Sequence, residues 1–226
     1  MLSTVGVFEH DNGTRNLFYS DAVTNILQST NDTPDAIAVI CEGQELSWAQ
    51  LESHARKIAH ALSAWGLNTG DRWALLSHNR IEWPELFLGN TIAGTRYVPL
   101  NWHLTVPEIE YLLMNSGATA LVVDPDHVEV GTEAATRVGI DPARIIVLGT
   151  QFTAWRDAQP DTSHPNTISG SALIYTGGTT GASKGVTRPD SGAPISSWAR
   201  GVSTWGSFVG MPEKGVALLV HNTLLY

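Results

Sequence analysis

The sequence predicts an α/β fold of parallel, doubly wound βα units. Three observations carry that expectation: short apolar runs that alternate with helix-length amphipathic segments, helix start and stop signals between them, and connections long enough for parallel crossovers. The 226 residues include 42% hydrophobic and 15% charged side chains, a balance that fits a folded globular chain and argues against disorder.

The elements follow in order from residue 36. Ala36 to Cys41 (AIAVIC) is an apolar run closed by Glu42-Gly43, which reads as a buried strand. Ser47-Trp48-Ala49-Gln50 has the form of a capping box, the serine accepting from the Gln50 amide and the glutamine reaching back. Leu51, Ala55, Ile58, Ala59, Leu62 and Trp65 recur at helical spacing, and Gly66 supplies a left-handed stop. Gly70-Asp71 turns the chain into the apolar run Arg72 to Ser77, with Asp71 and Arg72 read as an exposed ion pair. A second helix is expected through Glu85 to Ala93. Thr105-Val106-Pro107-Glu108 is another capping box, with proline early in the helix where its missing amide costs nothing. That helix presents Ile109, Leu112 and Leu113 on one face and stops at Gly117. Ala118 to Val123 reads as a strand, Val128 to Val138 as a helix and Arg144 to Leu148 as a strand.

Gln159 to Asn166, with two prolines, reads as a linker, so residues 1–165 are expected to form a first α/β unit and residues 166–226 to begin a second. Gly215 to Tyr226 is an apolar, strand-like run with no polar tail, which is the pattern of a truncated domain. The tryptophans Trp48, Trp65, Trp73 and Trp83 fall among apolar residues and read as core, as do Trp198 and Trp205 on a helix expected after the second unit's first loop.

Charge and composition exclude several function classes. The formal net charge is −9, which opposes general nucleic-acid binding. Residues 171–226 are the exception, with 4 basic and 2 acidic side chains against 9 and 20 in residues 1–170. The single Cys41 excludes an intramolecular disulfide and any cysteine-based zinc site. His54 and His60 are six residues apart and fall on different helix faces, so no metal site is expected from them or elsewhere. No apolar run has the length of a membrane span, and the first residues lack the pattern of a signal peptide, so the expected compartment is the cytoplasm.

The segment richest in chemistry is Ser171 to Arg188 (SALIYTGGTTGASKGVTR). An apolar strand runs into Thr176-Gly177-Gly178-Thr179-Thr180-Gly181-Ala182-Ser183-Lys184-Gly185, with four glycines, four hydroxyls and one of the chain's three lysines. Glycines let consecutive amides curl round an anion, hydroxyls donate to phosphate oxygens, and a lysine adds a point charge. A Walker A loop fails because Lys184 is not preceded by glycine. Gly181 to Gly185 matches G-x-S-x-G, the nucleophile elbow of α/β-hydrolases, but that elbow needs a helix directly after it, and Pro189 and Pro194 oppose one. A glycine-rich hairpin without a ligand is the third reading on composition alone.

Tyr175 to Val186 (YTGGTTGASKGV) resembles the phosphate-binding signature of the adenylate-forming superfamily, Tyr-Thr-Ser-Gly-Thr-Thr-Gly-x-Pro-Lys-Gly-Val. The likeness extends upstream to Leu46–Leu51 (LSWAQL), to Gly70-Asp71-Arg72 with Ala74-Leu75-Leu76, to Ala93-Gly94 through Tyr97-Val98-Pro99-Leu100-Asn101, and to Asn115-Ser116-Gly117-Ala118. It covers about residues 35–226 and looks most like the acyl-CoA synthetases. The resemblance implies the large N-terminal domain of such an enzyme, truncated, with the C-terminal lid domain absent. It implies activation of a small-molecule carboxylic acid, a fatty acid above all, with ATP and Mg²⁺ to an acyl-adenylate, then transfer to the thiol of coenzyme A. It places Thr176, Gly177, Gly178, Thr179, Thr180, Gly181, Ser183 and Lys184 on the nucleotide phosphates, with Thr179 and Lys184 in the catalytic roles. Gly177 and Ser183 depart from the family's serine and proline, and neither change removes the lysine or the paired threonines. The family's aromatic-histidine motif looks to begin at Leu224-Leu225-Tyr226, and His221 lies too early for it. The remaining catalytic motifs would fall beyond the chain, so the implied alternative is a nucleotide-binding fragment without turnover.

Overall fold

Apolar side chains on both sides of consecutive strands demand cover on both sides, and the chain supplies it with two layers of helices. The computed structural model describes residues 33–176, 184–187, 193–195 and 197. The first two strands, β1 (Ile37–Cys41) and β2 (Gln44–Ser47), form an antiparallel hairpin of their own. Its two-residue turn is Glu42-Gly43, both at positive φ (49° and 78°), the backbone of the turn that matches strand twist. The strand read from Ala36 to Cys41 is therefore half of a hairpin outside the main sheet.

Helix α1 (Trp48–Ala64) starts on the capping box as expected: Gln50 N–H donates to Ser47 Oγ (3.2 Å) and Ser47 N–H donates to Gln50 Oε1 (2.8 Å). The remaining elements are β3 (Arg72–Leu76), α2 (Glu82–Ala93), β4 (Arg96–Leu100), α3 (Val106–Ser116), β5 (Leu121–Val123), α4 (Val128–Arg137), β6 (Ile145–Val147), α5 (Thr150–Asp157), β7 (Ser171–Thr176) and β8 (Lys184–Thr187). The second capping box also forms, with Thr105 N–H donating to Glu108 Oε2 (2.8 Å). Gly117 closes α3 at φ 68°. Asp71 and Arg72 do not pair as expected: Asp71 accepts from Asn68 N–H, and Arg72 donates to Ser116 O.

These strands order as β6-β5-β3-β4-β7-β8, parallel throughout except for the β7–β8 pair. Alternate residues of each strand divide between two cores. Trp73, Leu75, Tyr97, Val122 and Ile146 pack with α1, α2 and α5, while Ala74, Leu76, Val98, Leu100, Leu121 and Val123 pack with α3 and α4. Because β4 lies to one side of β3 and β5 to the other, the chain reverses direction across the sheet at β3. Pro99 lies inside β4, a position that an internal strand normally refuses. Arg96 N–H donates to Asp71 O beside β3, so strand alternation turns the nitrogen of residue 99 toward β7, and the β4–β7 ladder ends before it, pairing only Arg96 with Ser171 and Tyr97 with Ala172.

The boundary expected at residues 165 and 166 falls between α5 and β7, and β7 joins the same sheet as the strands before it. Nor is Gln159 to Asn166 a loose linker. Asp161 accepts from Ser53 Oγ (2.7 Å) and Arg56 Nε (2.7 Å), and Asn166 Nδ2 donates to Ile92 O (2.8 Å), so the segment is a strap laced along α1 and α2. His164, in the strap, accepts from Asn166 N–H at Nδ1 (3.2 Å) and contacts Ser63 Oγ through Nε2 (2.9 Å). Burial, with the neighbouring His60, pushes its pKa down from 6.5 to about 4. Arg156, on α5, forms a buried pair with Glu85 of α2 (2.8 Å) that seats the helix beneath the strap.

Asn90, on α2 and 1% exposed, joins four parts of the fold. Its Oδ1 accepts from Trp73 Nε1 (3.0 Å) and Thr95 Oγ1 (2.8 Å), and its Nδ2 donates to Ser171 O (3.1 Å) at the start of β7. Asn90→Ala removes three buried hydrogen bonds and leaves Trp73 Nε1 with its longer bond to Thr95 Oγ1 (3.2 Å), and the expected loss is about 1–3 kcal/mol in urea unfolding. Acid should act on the strap. The folded state resists protonating His164 while the unfolded chain takes the proton at its ordinary 6.5, so stability is full above that pH and declines as pH falls toward 4. The expected result is a thermal midpoint that drops between pH 7 and pH 5 in the parent and drops less in His164→Gln.

Candidate phosphate-loop site

A hairpin with its open end at the carboxyl edge of a parallel sheet is a place where ligands meet backbone amides. β7 runs parallel to β4 and ends at Thr176, and β8 returns antiparallel from Lys184. The register pairs Thr176 with Lys184, Tyr175 with Gly185, Ile174 with Val186 and Leu173 with Thr187. Thr176 and Lys184, eight positions apart in sequence, are thereby the two residues at the neck of a seven-residue loop, residues 177–183. Opposed residues in an antiparallel pair have Cα atoms about 4.5–5.5 Å apart. Gly177, Gly178, Thr179, Thr180, Gly181 and Ser183 lie outside the described residues, as do Trp198, Trp205, His221 and Leu224 to Tyr226.

The return strand decides against the hydrolase reading. A nucleophile elbow turns from strand directly into helix, whereas Ser183 is followed by the extended residues Lys184–Thr187. The segment after β8 comes back toward the start of β7: Ser169 N–H donates to Ala193 O (3.0 Å) and Ile195 N–H to Thr167 O (3.0 Å).

Three supports hold the hairpin, of which sequence reasoning names only the Tyr175 and Asn115 positions, as parts of motifs and not as partners. Gly170 precedes β7 where its N–H donates to Thr91 O (2.9 Å); a Cβ there would come within 2.1 Å of Asn90 O and 2.6 Å of Thr95 O. Only glycine lets the strand approach that closely. Asn90 then holds the Ser171 carbonyl from the other side. At the far end Tyr175 donates its hydroxyl to Asn115 Oδ1 (2.6 Å), so the short Asn115 to Ala118 motif at the end of α3 anchors the aromatic residue before the loop. Burial, with Tyr111 nearby, raises the Tyr175 hydroxyl's pKa and keeps it a donor. Opposite it, a Cβ on Gly185 would stand 3.2–3.3 Å from the Tyr175 ring and the Leu173 side chain. The signal for Gly170 and Asn90 is present in the sequence only as single small or polar residues; their partners, like the Tyr175 partner of Asn115, are supplied by other elements of the chain.

Comparison with known proteins agrees with this architecture. The family model described as AMP-binding enzyme matches residues 27–205. A fatty acid–[acyl-carrier-protein] ligase, ScoC, from Streptomyces coeruleorubidus is 38% identical over 157 residues, covering 68% of this chain and 30% of the relative. A feruloyl-CoA synthase from an Amycolatopsis species is 36% identical over 155 residues with the same coverage. Among solved structures, the anthranilate CoA ligase AuaEII in complex with anthranoyl-AMP superposes with a TM-score of 0.68 at 25% identity, covering 84% of this chain and 37% of that one. ATP-bound MatB from Rhodopseudomonas palustris gives 0.62 at 27% identity, covering 78% and 35%. The chain thus spans about 30% of the length of the curated relatives.

Gly185→Val would press a branched side chain into the Tyr175 ring. The expected cost is about 1–2 kcal/mol, as for other crowding substitutions, with faster amide exchange at Leu173 and Tyr175 relative to the parent. Unaltered exchange at those two amides would show that the ring and the glycine do not hold the register.

Proposed function

This chain belongs to the AMP-binding enzyme family, and we propose on that premise that it supplies the phosphate-holding part of a ligase that activates a carboxylic acid with ATP. The observation that carries the reading is the hairpin neck: β7 and β8 bring Thr176 and Lys184 opposite each other at the sheet's carboxyl edge, around seven residues rich in glycine and hydroxyls. In the reaction, a carboxylate oxygen attacks the α-phosphorus of ATP, the bond to the bridging oxygen breaks, and pyrophosphate leaves with the electron pair. Negative charge grows on the departing phosphates, and donors already fixed in place stabilise it without reorganisation.

The proposed residues for that task are Thr176, Gly177, Gly178, Thr179, Thr180, Gly181, Ser183 and Lys184. Lys184 offers a point charge to the leaving group and Thr179 a hydroxyl. Mg²⁺ enters the proposal as the counter-ion of the phosphates, and no donor set for it is drawn from the described residues. The thiol acceptor in the proposal is coenzyme A. The relatives include one ligase named for an acyl-carrier protein and others named for CoA, so a carrier-bound thiol is the competing acceptor. The acid is proposed to be fatty, in keeping with the names of those relatives. Among the described residues no helix is long and apolar enough to cross a membrane, which is compatible with the proposed cytoplasmic site of action. A chain of 226 residues matching 30% of its relatives is proposed to bind nucleotide without turning over by itself.

The test is exchange of labelled pyrophosphate into ATP by the enzyme that contains this chain, scanned over fatty, aryl and amino acids. Acid-dependent exchange is the expected outcome, and silence with every acid would overturn the ligase reading. Lys184→Ala is expected to lower kcat/KM for ATP by about 10²-fold or more, the scale of losing one charge-stabilising donor. The KM for the acid should stay within about twofold, since a group aimed at the leaving phosphates adds little to acid binding.

A further inference from the structure

Two connections leave the sheet at the point where the chain reverses direction, and they carry imidazole and carboxylate groups to one spot. His78 follows β3 on the way to α2, Asp124 follows β5, and His127 stands at the start of α4. Neighbouring parallel strands whose next helices cover opposite faces leave a crevice between their carboxyl ends. Into it His78 Nδ1 points at Asp124 Oδ2 (2.9 Å) and His127 Nδ1 at Asp124 Oδ1 (3.1 Å). The donor atoms of the three residues lie within 4.8 Å of one another.

We propose that His78, Asp124 and His127 bind one divalent transition-metal ion, Zn²⁺ or a close analogue, as a clamp between the ends of β3 and β5. The sequence alone leads to no metal site; Asp124 and His127 are three positions apart, but His78 is 46 and 49 positions from them, which spacing does not reveal.

The geometry suits an ion of that size. Nitrogen and oxygen ligands stand about 2.0–2.1 Å from Zn²⁺, which puts tetrahedral neighbours about 3.3 Å apart, close to the nitrogen–oxygen separations seen here. Electronegative atoms that converge this closely need positive charge between them. In the metal-free chain the two imidazole N–H protons supply it, and an ion takes their place with both nitrogens as ligands. Two imidazoles and one carboxylate select zinc-like ions over Mg²⁺ or Ca²⁺, which prefer oxygen.

The surroundings are those of a supported site. Asp124 is 1% exposed, and its oxygens also accept from His78 N–H (3.1 Å) and Asp126 N–H (2.8 Å), which fix the carboxylate's orientation. The His78 side chain is 36% exposed and that of His127 15%, so an ion enters from solvent on the His78 side and a water can complete its coordination. Trp102, after β4, packs tilted against His78 with ring centroids 4.2 Å apart, and its ring centroid lies 5.8 Å from that of His127. It walls the site and places a fluorophore beside the proposed ion. The neck of the phosphate loop lies beyond β4, so this site is separate from it.

Titration of the tag-free chain with Zn²⁺, followed by calorimetry, and with Co²⁺, followed by visible absorption and tryptophan fluorescence, tests the proposal. One equivalent should bind, Co²⁺ should quench emission, and Zn²⁺ should raise the thermal midpoint. His78→Asn and His127→Asn keep a hydrogen-bond donor toward Asp124 while removing the ligating nitrogen. Each should weaken binding by about a hundredfold, the upper range for disturbed metal sites, with unchanged far-ultraviolet dichroism. Trp102→Phe should retain binding and reduce the quench, the remainder coming from Trp83, whose indole N–H donates to His78 O (2.7 Å). Absence of saturable binding would overturn the proposal. So would binding that both asparagine variants preserve, because it would put the ion elsewhere.

Discussion

One buried amide side chain sets the geometry on which the phosphate-loop hairpin rests. Asn90 accepts from Trp73 and Thr95 and donates to Ser171, so a single helix residue fixes β3, the turn into β4 and the first carbonyl of β7. A buried polar network of this kind is costly when partly satisfied and specific when complete. Its completeness explains why β7 enters where it does. The strand must pass close enough for Asn90 to reach its carbonyl, and only a glycine at 170 lets the backbone come so near the Asn90 and Thr95 carbonyls. The position of the loop at residues 177–183 is inherited from that contact six residues earlier.

The same contact governs the path of β7 beyond Ser171. β7 pairs with β4 at Ser171 and Ala172 on one edge and with β8 from Leu173 to Thr176 on the other. Pro99 has no amide with which to extend the β4–β7 ladder, and the antiparallel return of β8 makes the end of the sheet a hairpin. A parallel strand ending in a helix would have offered a helix N-terminus to an anion; the glycines and small hydroxyl residues of positions 177–183 are instead residue types suited to meeting an anion with backbone amides and hydroxyls.

Much of this fold is legible in the residues, and the exceptions have physical reasons. Helix α1 can be read to the residue at its start, because Ser47 and Gln50 cap each other locally, and α3 likewise from Thr105 and Glu108. Local signals of that kind depend on no other part of the chain. β4 is visible only as part of a motif, since Pro99 within Arg96–Leu100 argues against a strand until the short reach of the β4–β7 ladder is known. α5 is eight residues long and follows Gly149 without a side-chain cap; it is held by the Arg156–Glu85 pair, whose partners are 71 positions apart. Gln159 to Asn166 has the composition of a linker because prolines and polar residues mark loops, yet those polar residues are the ones that bond to α1. Polarity in a sequence does not say whether its partner is water or protein. For the site, the glycine- and hydroxyl-rich composition of Thr176 to Gly185 is readable, whereas Asn90 and Gly170, which seat β7, are not, because each acts through a partner elsewhere in the chain.

The carboxyl edge of the sheet thus divides its work between two kinds of group. Backbone and hydroxyls at the β7–β8 end suit a polyanion, whose charge is spread over many oxygens and is met by many weak donors. Imidazoles and a carboxylate at the β3–β5 end suit a small cation, whose charge is concentrated and is met by a few strong ligands. Asp124, whose pKa is held low by donors from His127, His78 and Asp126 in spite of its burial, is a fixed negative charge in the crevice. With that carboxylate buried among donors, this end of the edge differs in kind from the hairpin end, whose residues 177–183 bring glycines and hydroxyls and no ionisable group.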